Sequence, residues 1–207
     1  MSNHTLLAEA IAKGIDYSTY LEMSHALYEA KKSSPADTAQ ASEDMLNYVK
    51  MNLQRMERVA KTMDLSPETI ATAQALGQKI YFLAISEVWC GDAAQNMPLI
   101  AKIADANPEK ISLKIVWRDL NPDLMNAYLT NGGKAIPKIV VLDENLNELA
   151  TWGARPTAAL PIVAEWKASG AAHSVLVETI QRWYNKDKGQ SLQDDFNKIL
   201  TAINNKK

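Results

Sequence analysis

The 207-residue chain holds one cysteine, Cys90, in the run Glu87-Val-Trp-Cys-Gly-Asp-Ala-Ala-Gln-Asn-Met-Pro98. The apolar run Ile80 to Ser86 leads into it, and helical spacing begins near Gly91, so Cys90 is expected at a strand-to-helix junction. Backbone N–H groups and the positive end of the helix dipole favour a thiolate there, and the thiolate is the nucleophilic form. At a reference pKa of about 8.5 only a few per cent of a thiol ionises at pH 7, whereas a shift to about 7 ionises about half. Asp92 acts in two directions: its charge near the sulfur raises the thiol pKa, while its position in the first helical turn is favourable.

Other chemistries have less support. One cysteine excludes an intramolecular disulfide and a cysteine-based zinc cluster. His4, His25 and His173 lie far apart without zinc-helix spacing, so no metal is expected, and no cofactor. Asn131-Gly132-Gly133-Lys134 lacks the full phosphate-loop spacing and precedes a strand instead of a helix. The Asp and Glu residues sit on no motif that would distinguish an acid–base pair from surface charge. A net charge of -2 offers no basic footprint for nucleic acid. The longest apolar runs fall far short of the ~20 residues of a membrane span, and the amino-terminal residues lack secretory-signal character, so a reducing cytoplasm without membrane partners is expected.

The elements that must position Cys90 change character along the chain. Residues 1–75 carry helix signals only, beginning with a face of Tyr17, Tyr20, Leu21, His25 and Tyr28. Ser34, Pro35 and Asp37 predict the start of a second helix, with Met45, Tyr48, Val49, Met56 and Val59 on one side. Ser66-Pro67-Glu68 opens a third, which Gly77 is expected to end. Strands are expected at 79–86, 111–117, 137–143 and 147–152. A helix from Gly91 joins the first two, and one running from Asn121-Pro122 to Asn131-Gly132-Gly133 joins the next two. The turn-rich 143–147 link is too short for a crossover and predicts an antiparallel hairpin. A helix from Pro156 to Lys167 and one long helix from about Ser174 to Ile203 complete the chain. The sum is an α/β layer architecture in three parts: a helical extension (1–75), a central module (76–170) and a carboxy-terminal helix (171–207). Simple packing is the plainest reading of the flanking helices, and a roof over the cysteine groove or a dimer face is the alternative.

Trp89-Cys90-Gly91 resembles the Trp-Cys-Gly-x-Cys site of the thioredoxin family. Asp119-Leu120-Asn121-Pro122 is similar to the family's Asp-x-Asn-Pro turn, Tyr128 to Pro137 to its helix-to-cis-proline passage, and Trp152-Gly153-Ala154 to the end of its last strand. The resemblance covers about half the chain and implies a thioredoxin-like three-layer α/β/α module with Cys90 as the catalytic residue. Trp89, Gly91, Asp92, Ile136 and Pro137 would contact substrate, with a cis bond before Pro137. Ala93 stands where the family has its resolving cysteine, and Ala84 and Ile115 where it has a buried acid and its lysine. The implied chemistry is therefore that of a monothiol thiol–disulfide oxidoreductase. Its mixed disulfides form with a protein or a low-molecular-weight thiol, and an external thiol releases them. A redox-inactive peptide-binding module is the alternative.

Overall fold

A computed structural model describes residues 2–205. The apolar runs form one sheet from β1 (Ile80–Ser86), β2 (Ile111–Trp117), β3 (Lys138–Asp143) and β4 (Glu148–Gly153), ordered β2-β1-β3-β4. β1 is parallel to β2 and antiparallel to β3, and β3 and β4 form the expected antiparallel hairpin. β1 and β3 are buried on nearly every residue, which is why they read as continuous apolar runs instead of alternating ones. In the hairpin turn the Asp143 carboxylate accepts from the backbone N–H groups of Asn145 and Asn147, each at 2.8 Å.

Helices flank the sheet: α1 (Asn3–Lys13), α2 (Tyr17–Glu29), α3 (Glu43–Thr62), α4 (Pro67–Gln74), α5 (Gly91–Asp105), α6 (Pro122–Ala127), α7 (Leu160–Ser169), α8 (His173–Asp187) and α9 (Gln190–Asn204). The resulting architecture is the thioredoxin-like α/β fold with helical decorations at both ends. The main apolar core runs from Leu7 and Tyr20 through the sheet to Phe196 and Ile203, and a smaller cluster of Ala159, Ile180 and Tyr184 lies where α7 and α8 meet. No helix among the described residues is long and apolar enough to cross a membrane.

Several expected boundaries are corrected. The second expected helix begins not at Ser34 but at Glu43, capped by Ser42. Asp37 instead accepts hydrogen bonds from the backbone N–H groups of Ser33 and Ser34, so this cap-like run closes a local turn. The α4 helix ends at Gln74, ahead of Gly77, and α6 ends at Ala127, well before the glycines. The segment after Pro156 starts as a 3-10 turn before α7. α1 lies ahead of the first aromatic face and was not expected.

The expected long final helix is two helices. Lys188 and Gly189 take left-handed conformations, with φ 53° and 78°, and turn the chain back. A Cβ on Gly189 would lie 2.2 Å from Leu99 Cδ1, so the reversal is packed tightly on α5. It lets α9 bury Leu192, Phe196 and Leu200 completely, with Phe196 edge-on to Phe82 of β1 at 5.4 Å.

Register places the site. Ile85 at the end of β1 pairs with Lys138 at the start of β3, which brings Ile136-Pro137 beside the Glu87–Cys90 turn. Lys138 pairs in turn with Gly153, where φ is 120° and a Cβ would sit 2.1 Å from the Pro137 carbonyl oxygen. Gly153→Ala is expected to cost more than about 2 kcal/mol, read from the urea midpoint. Gly132→Ala is expected to cost only about 1 kcal/mol, since nothing lies within 4 Å of a Cβ there. Equal losses at the two positions would contradict the role given to Gly153.

Candidate functional site

Cys90 is the N-cap of α5. Its Sγ accepts the Ala93 N–H at 3.4 Å and its S–H donates to the Ile136 carbonyl at 3.2 Å. The peptide bond between Ile136 and Pro137 is cis. The thiol is 8 % exposed and its pKa is pushed up to about 12, first by burial and then by the charge of Asp92. The backbone N–H groups of Ala93 and Asp92 pull the other way and do not compensate. Of the opposing effects at this helix start, desolvation therefore wins, and the resting sulfur is a protonated donor.

Asp92 is also nearly buried, and burial raises its pKa against the opposing charge of Arg155. Arg155 grips it with two bonds, Nη2 to Oδ2 at 2.7 Å and Nε to Oδ1 at 3.0 Å. Tyr184 of α8 donates its hydroxyl to Oδ1 at 3.0 Å, and Asn96 Nδ2 bonds both the Asp92 carbonyl and the Tyr184 oxygen. The carboxylate is thus spent inside the protein. Glu87 is fully buried, accepts the Asp119 N–H at 2.9 Å through Oε1, and leaves Oε2 without a hydrogen-bond partner among the described residues. Burial lifts its pKa to about 7. Trp89, half-buried, carries the Arg118 guanidinium 4.5 Å above its ring.

A cavity of about 420 Å³ opens over the cysteine. Trp89, Cys90, Gly91, Asp92 and Ile136 all line it, so the structure brings five of the six expected site residues together. Pro137 does not line it: it is buried behind Ile136, its carbonyl against Gly153. Further walls come from α3, through Tyr48 and Arg55, from α8, through Val177, Ile180 and Gln181, and from the segments that carry Arg118, Lys134 and Arg155. Both helices are stitched to α5 or to the turn that leads into it. Asn52 donates to the Val88 carbonyl at 3.0 Å, Gln95 to Gln181 at 2.8 Å, and Arg58 to both Gln95 and Asn185. Among the flanking helices, α9 packs into the core, while α3 and α8 line the cavity over the cysteine.

The sequence reading missed Arg155, Tyr184, Glu87 and Arg55. None belongs to a spaced motif, and only Glu87 gave a signal, as the sole acidic residue in an otherwise apolar approach to Cys90. Ala84 and Ile115 pair directly across β1 and β2 and are buried, so the place of the family's acid and lysine is wholly apolar. No three histidine, cysteine or carboxylate side chains converge among the described residues to hold a metal ion.

The family model described as Thioredoxin matches residues 38–167, more than half the chain. The chain belongs to the thioredoxin family. A Streptomyces coelicolor protein that carries the name thioredoxin 2 is 36 % identical over 72 residues, covering 35 % of this chain and 51 % of its own length. The chain thus spans about half of that relative. Two solved structures resemble this thioredoxin-family chain over 95 % of its length. A Pseudomonas aeruginosa protein of unknown function has TM-score 0.57, 19 % identity and 95 % of its own chain covered. An HIV epitope scaffold has TM-score 0.54, 17 % identity and 94 % of its own chain covered. At these identities the likeness is one of fold, and it takes in the decorations as well as the thioredoxin core.

Two predictions follow the charges of this thioredoxin-family site. Because the Cys90 pKa is raised, iodoacetamide labelling of the folded protein should climb about tenfold per pH unit from pH 7 to 10 without levelling. A plateau near pH 7 to 8 would show instead a stabilised thiolate. Glu87 binds its proton more tightly folded than unfolded. The native state therefore loses stability as pH rises from about 4.5 through about 7, by up to about 3 kcal/mol. Glu87→Gln should remove that slope in denaturant titrations run at pH 5 and pH 8, and an unchanged slope would place its cause elsewhere.

Proposed function

We propose that this thioredoxin-family chain is a monothiol protein in which Cys90 forms mixed disulfides with a protein or low-molecular-weight thiol, in a reducing compartment such as the cytoplasm. The observation that carries this reading is the one cysteine among the residues that line a formed cavity, together with Trp89 and Ile136. In the same reading residues 76–170 supply the thiol module, while 1–75 and 171–207 supply its overhang. Trp89, Gly91, Asp92 and Ile136 shape the approach to the sulfur, with Pro137 supporting Ile136 from behind.

The exchange is a displacement. Cys90 sulfur bonds to one sulfur of an incoming disulfide, the disulfide's own bond breaks, and the departing half leaves as a thiol carrying the proton that Cys90 gave up. With alanine at position 93 no second cysteine of this chain can resolve the adduct, so an external thiol releases it. The raised thiol pKa makes the forward step slow at neutral pH and faster as the pH climbs. Incubation with 2-hydroxyethyl disulfide at pH 8, followed by intact mass, should show one adduct on the wild type and none on Cys90→Ser. Dithiothreitol should remove it. Absence of any adduct up to pH 10 would overturn the reading and leave a binding module that uses the same cavity without covalent chemistry.

A further inference from the structure

Deepening that reading, and resting on it for the covalent step, we infer that the cavity over Cys90 selects small thiols and disulfides that carry a carboxylate. The charge of the walls is one-sided. Arg55, Arg118, Lys134 and Arg155 line the cavity against a single carboxylate, Asp92, which Arg155 already neutralises. Arg118 has Asp119 beside it at 2.8 Å. Arg55 and Lys134 have no carboxylate partner among the described residues. A cationic concavity on a chain of net charge -2 is a local arrangement, not a reflection of overall composition.

Arg55 carries the argument furthest. It is half-buried on α3, and its hydrogen bond within the chain goes to the neutral amide of Asn52, at 2.9 Å. A Cβ placed on Gly91, next to Cys90, would lie 3.5 Å from its Nη1. The guanidinium therefore overhangs the residue that follows the reactive sulfur. Partly desolvated arginine without a counter-charge is costly, and a bound carboxylate supplies the missing bidentate acceptor. The scale of the cavity matches a small ligand, and α3 and α8 stand over the ground that an extended peptide would need. Trp89, Val177 and Ile180 add an apolar wall suited to the methylenes that separate a sulfur from a carboxylate.

The test compares three disulfides of similar size at pH 8 and low salt: the dianion 3,3'-dithiodipropionate, neutral 2-hydroxyethyl disulfide and dicationic cystamine. Adduct formation on Cys90 should run fastest with the dianion, about tenfold ahead of the neutral compound, and slowest with cystamine. About 0.5 M salt should compress the spread. Arg55→Gln and Lys134→Gln should each lower the dianion-to-neutral rate ratio at least about threefold. Equal rates across the three, or faster reaction with cystamine, would overturn the inference while leaving thiol exchange intact. A second measurement needs no reaction: S-methylglutathione titrated calorimetrically into Cys90→Ser should bind, and binding should weaken at least about fivefold in Cys90→Ser/Arg55→Gln. Binding there without exchange in the wild type would leave anion selection standing and overturn the covalent reading. No binding, or binding indifferent to Arg55, would overturn anion selection.

Discussion

A carboxylate withdrawn from water must be met by a counter-charge and by donors for its remaining lone pairs. At Asp92 that requirement draws two parts of the chain that are remote in sequence onto the start of α5. Arg155 arrives from the segment after β4 and Tyr184 from α8, while Asn96, one turn further along α5, bonds both the Asp92 carbonyl and the Tyr184 hydroxyl. The start of α5 is thereby fixed against the carboxy-terminal helices, and so is the position of Cys90. The same charge that anchors the helix start also burdens the thiol, because a second negative charge nearby in a desolvated place is unfavourable. Anchoring and reactivity are opposed at a single residue.

That opposition gives the site its character. In an open groove a helix start shifts a thiol toward thiolate; here α3 and α8 remove water from the sulfur and its proton stays on, held toward the Ile136 carbonyl. The sheet contributes position but no charge, since Ala84 and Ile115 meet where an acid and a lysine would otherwise lie. Polarity is supplied from the edges instead, by Glu87 at the turn, by Arg55 on α3, and by Arg118 and Arg155 on the segments after β2 and β4.

The central fold was legible because its signals are local. Apolar runs set the strands to within a residue, and the Asp143–Asn147 turn set the hairpin. Elements outside the sheet were less legible. Ser34-Pro35-x-Asp37 has the chemistry of a helix start, yet those donors and acceptors satisfy one another within a turn. The Lys188-Gly189 break hides inside a sequence whose spacing suits one long helix, and it shows only once Gly189 is seen to lie against Leu99. At the site, the Trp89–Asp92 run and Ile136 were found because they are close in sequence to a recognisable pattern. Arg155 and Arg55 matter through tertiary contact alone, and Tyr184 looked like ordinary helix packing. The direction of the Cys90 shift was likewise beyond reach, because it depends on water excluded by helices about 40 residues before the cysteine and about 90 after it.

The segment between α1 and α2 adds one more pairing. Ile15 exchanges both backbone hydrogen bonds with Ile115, at 3.0 and 2.7 Å, on the outer side of β2, and the missing side chain of Gly14 lets the strands approach over Lys114. As an edge strand, β2 would otherwise present bare donors and acceptors to any extended chain that met it. A single residue pair therefore serves as an end-stop: it interrupts the edge at mid-strand and denies a neighbouring molecule the unbroken ladder on which edge-to-edge aggregation grows.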